Sequence, residues 1–191
     1  MPEIALQLDI AAPREVVLAA LTTHDGLTAW WTTAVDRDGD VLLFDFPDVP
    51  EPFRLRVERA DRDRVVWTNA GSFPPHWAGT WISWELADRP ASPDRPVVPD
   101  RPAAPDHPAA PDHPAAPNHP AAPDHPAAPG RPAPAEHTRL LFRHGGWQPG
   151  SEDGVPAVAG TWAELLVRLK DYAQSGKVQP YFVTAHRHDG P

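Results

Sequence analysis

Residues 90–135 hold 16 of the chain's 27 prolines, most of them in one repeated hexamer, Pro-Asp-Arg/His-Pro-Ala-Ala. Proline has no backbone N–H and a fixed φ, so this stretch builds neither a helix interior nor a central strand. Whatever folds must come from the two flanks, 145 residues together. That is enough for one domain with a real core. Polyproline II rises about 3.1 Å per residue with three residues per turn. On it, Pro99, Pro102, Pro105 and Pro108 fall on one face and His107, His113, His119 and His125 on another. Neighbouring His residues are then about 19 Å apart, whereas the ligands of one metal converge to about 2 Å from it. The repeat reads as a solvated, semi-rigid spacer without a metal site. Nothing in it identifies a protein partner.

The formal net charge is −9, and the repeat itself carries five Asp against three Arg, so most of the acidity lies in the flanks. An acidic surface repels phosphate backbones, which argues against nucleic acid as a partner. Cysteine is absent, which excludes disulfides and thiolate chemistry. Residues 1–10 lack the basic and apolar regions of a signal peptide, and no apolar run approaches the ~18 residues of a membrane span. A cytoplasmic protein that does not enter membranes is the expectation.

In the first flank, Ile4, Leu6, Leu8 and Ile10 alternate with Ala5, Gln7 and Asp9, a half-buried strand. Pro13 opens a helix running to about Leu21, with Val16, Val17, Ala20 and Leu21 on one face. A short second helix carries Leu27, Trp30 and Trp31. Strands follow over Val41–Phe46, Phe53–Glu58, Arg64–Asn69 and Gly79–Leu86. The last of these sets Thr80, Ile82, Trp84 and Leu86 against Trp81, Ser83 and Glu85. Trp81 thus points away from Trp84, either to a homodimer contact or to a position covered by a loop.

After the repeat, Thr138, Leu140, Phe142 and His144 alternate with Arg139, Leu141 and Arg143. The strands on either side of the repeat are expected to be antiparallel neighbours. Trp162, Leu165, Leu166, Leu169 and Tyr172 then mark a long helix, with Pro156 near its start and Gly176 just past its end. An antiparallel sheet, two short helices and a long final helix make an α+β domain, and the final helix must lay its stripe on the sheet.

Several stretches together resemble a known family: Ile10-Ala11-Ala12-Pro13-Arg14-Glu15-Val16-Val17 leading to Leu27-Thr28-Ala29-Trp30-Trp31; Trp77 through Leu86; Thr138 through Trp147; and the helix through Trp162, Leu166 and Leu169. Their order and spacing resemble the SRPBCC (START-like) superfamily, in its branch of activator of heat-shock protein ATPase-like domains. The resemblance implies a helix-grip fold: a curved antiparallel sheet wrapped around the C-terminal helix, with an apolar cavity between. It implies one discontinuous domain, residues 1–89 and 136–185, with residues 90–135 as an insert and 186–191 as a flexible tail. Members include lipid carriers, polyketide cyclases and aromatases, and co-chaperones, so fold alone does not fix function.

Within that frame Trp30, Trp31, Phe44, Trp67, Ile82, Trp84, Phe142, Trp162 and Leu166 are the residues expected to line a cavity for a small apolar or aromatic ligand. The Trp residues among them read equally as plain core. His144 and Glu85 are the candidates for acid–base chemistry; His76, His24 and Asp45 are further titratable groups on the folded flanks, and no spacing forces any pair together. No nucleophile elbow, phosphate-cradling glycine loop or metal-ligand spacing occurs, so neither cofactor nor metal is expected. Three functions stay open: a ligand-binding module, an enzyme of the cyclase, aromatase or dehydratase kind, and a co-chaperone acting on a heat-shock protein ATPase.

Overall fold

A computed structural model describes residues 2–89, 137–150 and 152–184. The repeat and the tail, and with them the expected domain limits, lie outside the described residues. The order is β1 (Ile4–Ile10), α1 (Arg14–Thr22), α2 (His24–Trp30), β2 (Ala34–Asp38), β3 (Val41–Asp45), β4 (Phe53–Ala60), β5 (Arg64–Asn69), β6 (Trp81–Arg89), β7 (His137–Gly145) and α3 (Val155–Ser175). The strands form one curved antiparallel sheet in the order β1-β7-β6-β5-β4-β3-β2. Its inner face packs on α3, giving the helix-grip arrangement that the resemblance implied. Among the described residues no helix is long and apolar enough to cross a membrane.

Sequence and structure meet most closely at β6, β7 and α3. The strands flanking the repeat pair from Trp81 opposite Gly145 to Arg89 opposite His137, as antiparallel neighbours. The chain therefore leaves and re-enters the fold at paired positions. Replacing residues 90–135 by a short turn should leave the domain folded, because each halving of a loop relieves only about 0.6 kcal/mol of closure entropy. Calorimetric melting of the deleted protein checks this; a fall of more than about 10 °C would contradict it.

On α3, Trp162, Leu165, Leu166, Leu169 and Ala173 are buried. Each large member contributes about 1.5–3 kcal/mol by leaving water. Gly176 ends the helix in the left-handed region, φ +71°, with its N–H bonded to Tyr172 C=O at 2.7 Å.

Two local features were not legible in the residues. The strand β2 holds Asp36, Arg37 and Asp38, all exposed, and buries only Val35. Its charges obscure any apolar alternation; what makes it a strand is pairing with β3 across the tight turn at Gly39-Asp40. The second is the seam between α1 and α2. Thr23 serves both helices: its hydroxyl donates to Ala19 C=O at 2.7 Å and accepts from Gly26 N–H at 3.0 Å. A Cβ on Gly26 would lie 2.4 Å from the Ala19 carbonyl oxygen, so only glycine admits this approach.

The outer sheet face carries ion pairs, among them Arg139–Asp9 at 3.2 Å, Arg143–Glu3 at 3.3 Å and Arg64–Glu85 at 3.9 Å. Exposed pairs of this kind contribute little individually. Trp81 is half-buried on the same face. Its ring occupies the space where Cβ atoms on Gly145 and Gly146 would stand, at 2.7 and 3.0 Å. The Gly-Gly pair thus makes a slot for an indole.

Candidate functional site

The interior is aromatic from end to end, and the rings fall into two layers. The deeper layer joins Trp30, Trp67, Trp84, Phe44 and Phe142. Trp84 contacts Trp67 at 5.5 Å, Phe142 at 4.8 Å and Trp30 at 6.2 Å between ring centroids. Trp30 also donates its indole N–H to Ala20 C=O at 2.9 Å, which ties α2 to α1. These rings pack together in the buried core between sheet and helix.

The second layer encloses a cavity of about 230 Å³. Its floor is Trp31, Trp77, Trp162 and Leu165, all buried. Its rim is Phe46, Pro47 and Val49 from the β3–β4 connection, Phe53 at the start of β4, His76 from the turn before β6, Val158 and Thr161 from α3, and Phe182. Five of the rings close a belt around the space. The successive centroid distances are 6.3 Å from Trp31 to Phe46 and 4.7 Å from Phe46 to Phe53. They continue at 5.1 Å from Phe53 to Trp77, 6.4 Å from Trp77 to Trp162, and 5.1 Å from Trp162 back to Trp31.

Phe182 reaches the rim through backbone chemistry. A helix leaves its last carbonyls without partners. At the end of α2 those of Ala29, Trp30 and Trp31 accept from the N–H groups of Gln179, Tyr181 and Phe182, at 2.8, 3.1 and 2.9 Å. The segment after α3 is thereby laid across α2, with the Arg168 guanidinium 5.2 Å above the Tyr181 ring. Phe182 then meets Phe46 at 4.7 Å.

Of the nine residues expected to line the cavity, Trp31 and Trp162 do so. Trp30, Phe44, Trp67, Ile82, Trp84, Phe142 and Leu166 belong to the buried core and not to the lining. The physical reason is size: so many rings on one sheet face fill the middle of the grip, and this cavity lies at one end of it. Of the other lining residues, Phe46 and Phe53 belong to strand patterns and Leu165 to the helical stripe, while Pro47, Val49, His76, Trp77, Val158, Thr161 and Phe182 carry no periodic signal. Phe46 and Phe53 stand at strand ends, His76 and Trp77 in a turn, and Phe182 in the segment after α3. Leu165 is a member of the helical stripe and Thr161 adjoins it, so these were the most accessible to sequence reasoning.

The acid–base candidates fall elsewhere. Glu85 lies on the outer face, 45% exposed and opposite Arg64. Asp45 and His24 are exposed. His144 is fully buried behind the cavity, its ring 4.7 Å from that of Trp77 and 4.3 Å from that of Trp147. Its Nδ1 accepts the Trp162 indole N–H at 3.0 Å. The ring is therefore neutral with its proton on Nε2, which has no hydrogen-bond partner among the described residues.

Burial, followed by the nearby His76, pushes the His144 pKa down to about 3. A general base must reach the proton it removes. His144 has its accepting nitrogen engaged and a tryptophan between it and the cavity, and Glu85 faces the opposite side of the sheet. Of these five titratable residues, His76 alone borders the space. Among the described residues no group of His, Cys, Asp or Glu is placed to hold a metal.

No family model matches the sequence, and no curated protein matches it significantly. Solved structures do match over nearly the whole chain. A dimeric Aha1 from Colwellia psychrerythraea, solved in solution, superposes with a TM-score of 0.60 at 24% identity, covering 93% of this chain and 99% of its own. DynU16, from the dynemicin biosynthetic locus, gives 0.57 at 18% identity over 95% of this chain and 51% of its own. A Bacillus halodurans protein gives 0.56 at 16% identity over 91% and 98%. At these identities the likeness establishes the fold alone, a curved antiparallel sheet on a C-terminal helix shared with these proteins.

Proposed function

We propose that this chain, an Aha1-like helix-grip domain, binds a small apolar or aromatic molecule in the cavity between the β3–β4 connection and α3. The observation that carries the reading is the closed belt of five aromatic rings around about 230 Å³ of space, open at the half-buried Phe46, Phe53 and Phe182. A core that merely filled itself would not keep a ring-lined space open at its edge, because interiors pack to near-crystalline density. Sites for small molecules have this character, apolar walls with few polar groups. A cyclase-like reading would need an acid or base on the wall, and His76 is the one such group there.

Thermal shift against a panel of small aromatic and aliphatic compounds tests the proposal. A ligand at a hundred times its dissociation constant adds about 2.7 kcal/mol, which for a domain of this size raises Tm by roughly 5–10 °C. Tryptophan emission should change in parallel, since Trp31, Trp77 and Trp162 form the floor. A panel that moves neither Tm nor emission would refute the reading. The dimeric neighbour also makes a homodimer worth testing by sedimentation of the full chain.

A further inference from the structure

Resting on that reading, we infer that the ligand is an uncharged aromatic of one ring or two fused rings that carries a hydrogen-bond donor, of the phenol or indole type. Three properties of the cavity lead there. The first is size. An apolar cavity of about 150 Å³ holds benzene, so about 230 Å³ accommodates one ring with substituents or two fused rings. Long acyl chains and multi-ring polyketides exceed it.

The second is charge. Among the described residues no Asp, Glu, Lys or Arg contributes to the wall. A charged group entering this space would exchange water for ring carbons and meet no fixed counter-charge. The third is hydrogen-bonding polarity. Thr161 borders the cavity, and its hydroxyl donates its single proton to Ala157 C=O at 3.3 Å. With its proton so placed, that oxygen presents its lone pairs to a ligand as an acceptor. His76, at the exposed side, supplies the other polar position.

Isothermal calorimetry on the full chain with six probes decides the matter. Indole is the reference, and benzothiophene has its shape without the N–H. Indole-3-acetate and phenyltrimethylammonium carry charge of either sign. Dodecanoate and naringenin are too large. Indole should bind saturably, and both charged probes should bind at least tenfold more weakly.

Thr161→Val removes the acceptor at constant shape. It should weaken indole about 3–10-fold, the effect of one net hydrogen bond, and leave benzothiophene unchanged. Val158→Trp, which fills the cavity, should abolish indole binding. Equal or tighter binding of a charged probe would overturn the inference, as would equal effects of Thr161→Val on both bicyclic probes or persistence of binding in Val158→Trp. Saturable binding of dodecanoate or naringenin alone would also overturn it, while leaving the ligand-pocket reading intact. Failure of all six probes would remove both.

Discussion

Replacing Trp162 by alanine should cost about 4–5 kcal/mol, the upper end of what a buried aromatic truncation removes. The side chain is 1% exposed and central to both aromatic layers. It touches Phe142 at 4.5 Å and Trp84 at 5.8 Å on the deep side, and Trp31 at 5.1 Å and Trp77 at 6.4 Å around the cavity. Its removal merges the cavity with the core and deprives His144 Nδ1 of its donor. Leaving one buried polar atom unpaired adds about 1–3 kcal/mol where water cannot reach it. Domains have only about 5–15 kcal/mol in hand, so the variant should sit near the threshold of folding. Trp162→Phe keeps most of the packing, loses the hydrogen bond and should cost about 1–3 kcal/mol. Urea unfolding at pH 7 measures both. A loss below about 1.5 kcal/mol for the alanine variant would mean that Trp162 is not the keystone described.

The second large effect concerns acid. In the fold His144 has its pKa near 3 through burial, whereas in the unfolded chain an ordinary histidine titrates near 6.5. Between those two values the unfolded state holds the extra proton. Stability is therefore complete above pH ~6.5 and falls as the pH drops toward 3. At pH 4.5 the group lies about two units below its unfolded pKa, which corresponds to about 2.7 kcal/mol lost. Asp9, Asp61 and Asp88 are held below the usual carboxylate value, first of all by hydrogen bonds from Arg89, Arg59 and Arg14. They are half-buried or exposed at the surface, and their contribution disappears only below pH ~4. The window from 6.5 to 4.5 thus belongs chiefly to His144. His144→Gln keeps an acceptor for the Trp162 indole and removes the titration. Its urea midpoint should be lower at pH 7 but nearly flat down to 4.5, while that of the native chain declines. Parallel slopes in the two proteins would show that the acid sensitivity lies elsewhere.

The same tryptophan and histidine illustrate what could be read in advance. The Trp162, Leu165, Leu166 and Leu169 stripe and the Thr138 to His144 alternation mark a helix and a strand that each bury one face. Local periodicity expresses that directly, and the buried positions follow it except at the end of the helix, where Ala173 is buried and the expected Tyr172 is half-buried. The pairing of the strands around the proline repeat was legible because chain between two such strands closes most simply as a hairpin. β2 was not legible, since three of its five residues are charged and its partner supplies the order. The Gly145-Gly146 slot for Trp81 was likewise hidden, because the need for two missing side chains appears only when the indole is in place.

By itself, the sequence determined which faces of most elements are apolar, roughly where those elements lie, and that the proline repeat is unsuited to a helix interior or a central strand. These depend on neighbours three or four positions away, or on the alternation of a strand, and so are written locally. Only the tertiary structure decided which aromatic rings fill the core and which leave a cavity, and that His144 is locked behind Trp77 and Trp162 rather than aimed at a ligand. It also decided that Phe182 borders that cavity through backbone bonds to α2. Those outcomes depend on the summed volume of side chains from elements far apart in the chain. No periodicity encodes which of several buried tryptophans meets empty space.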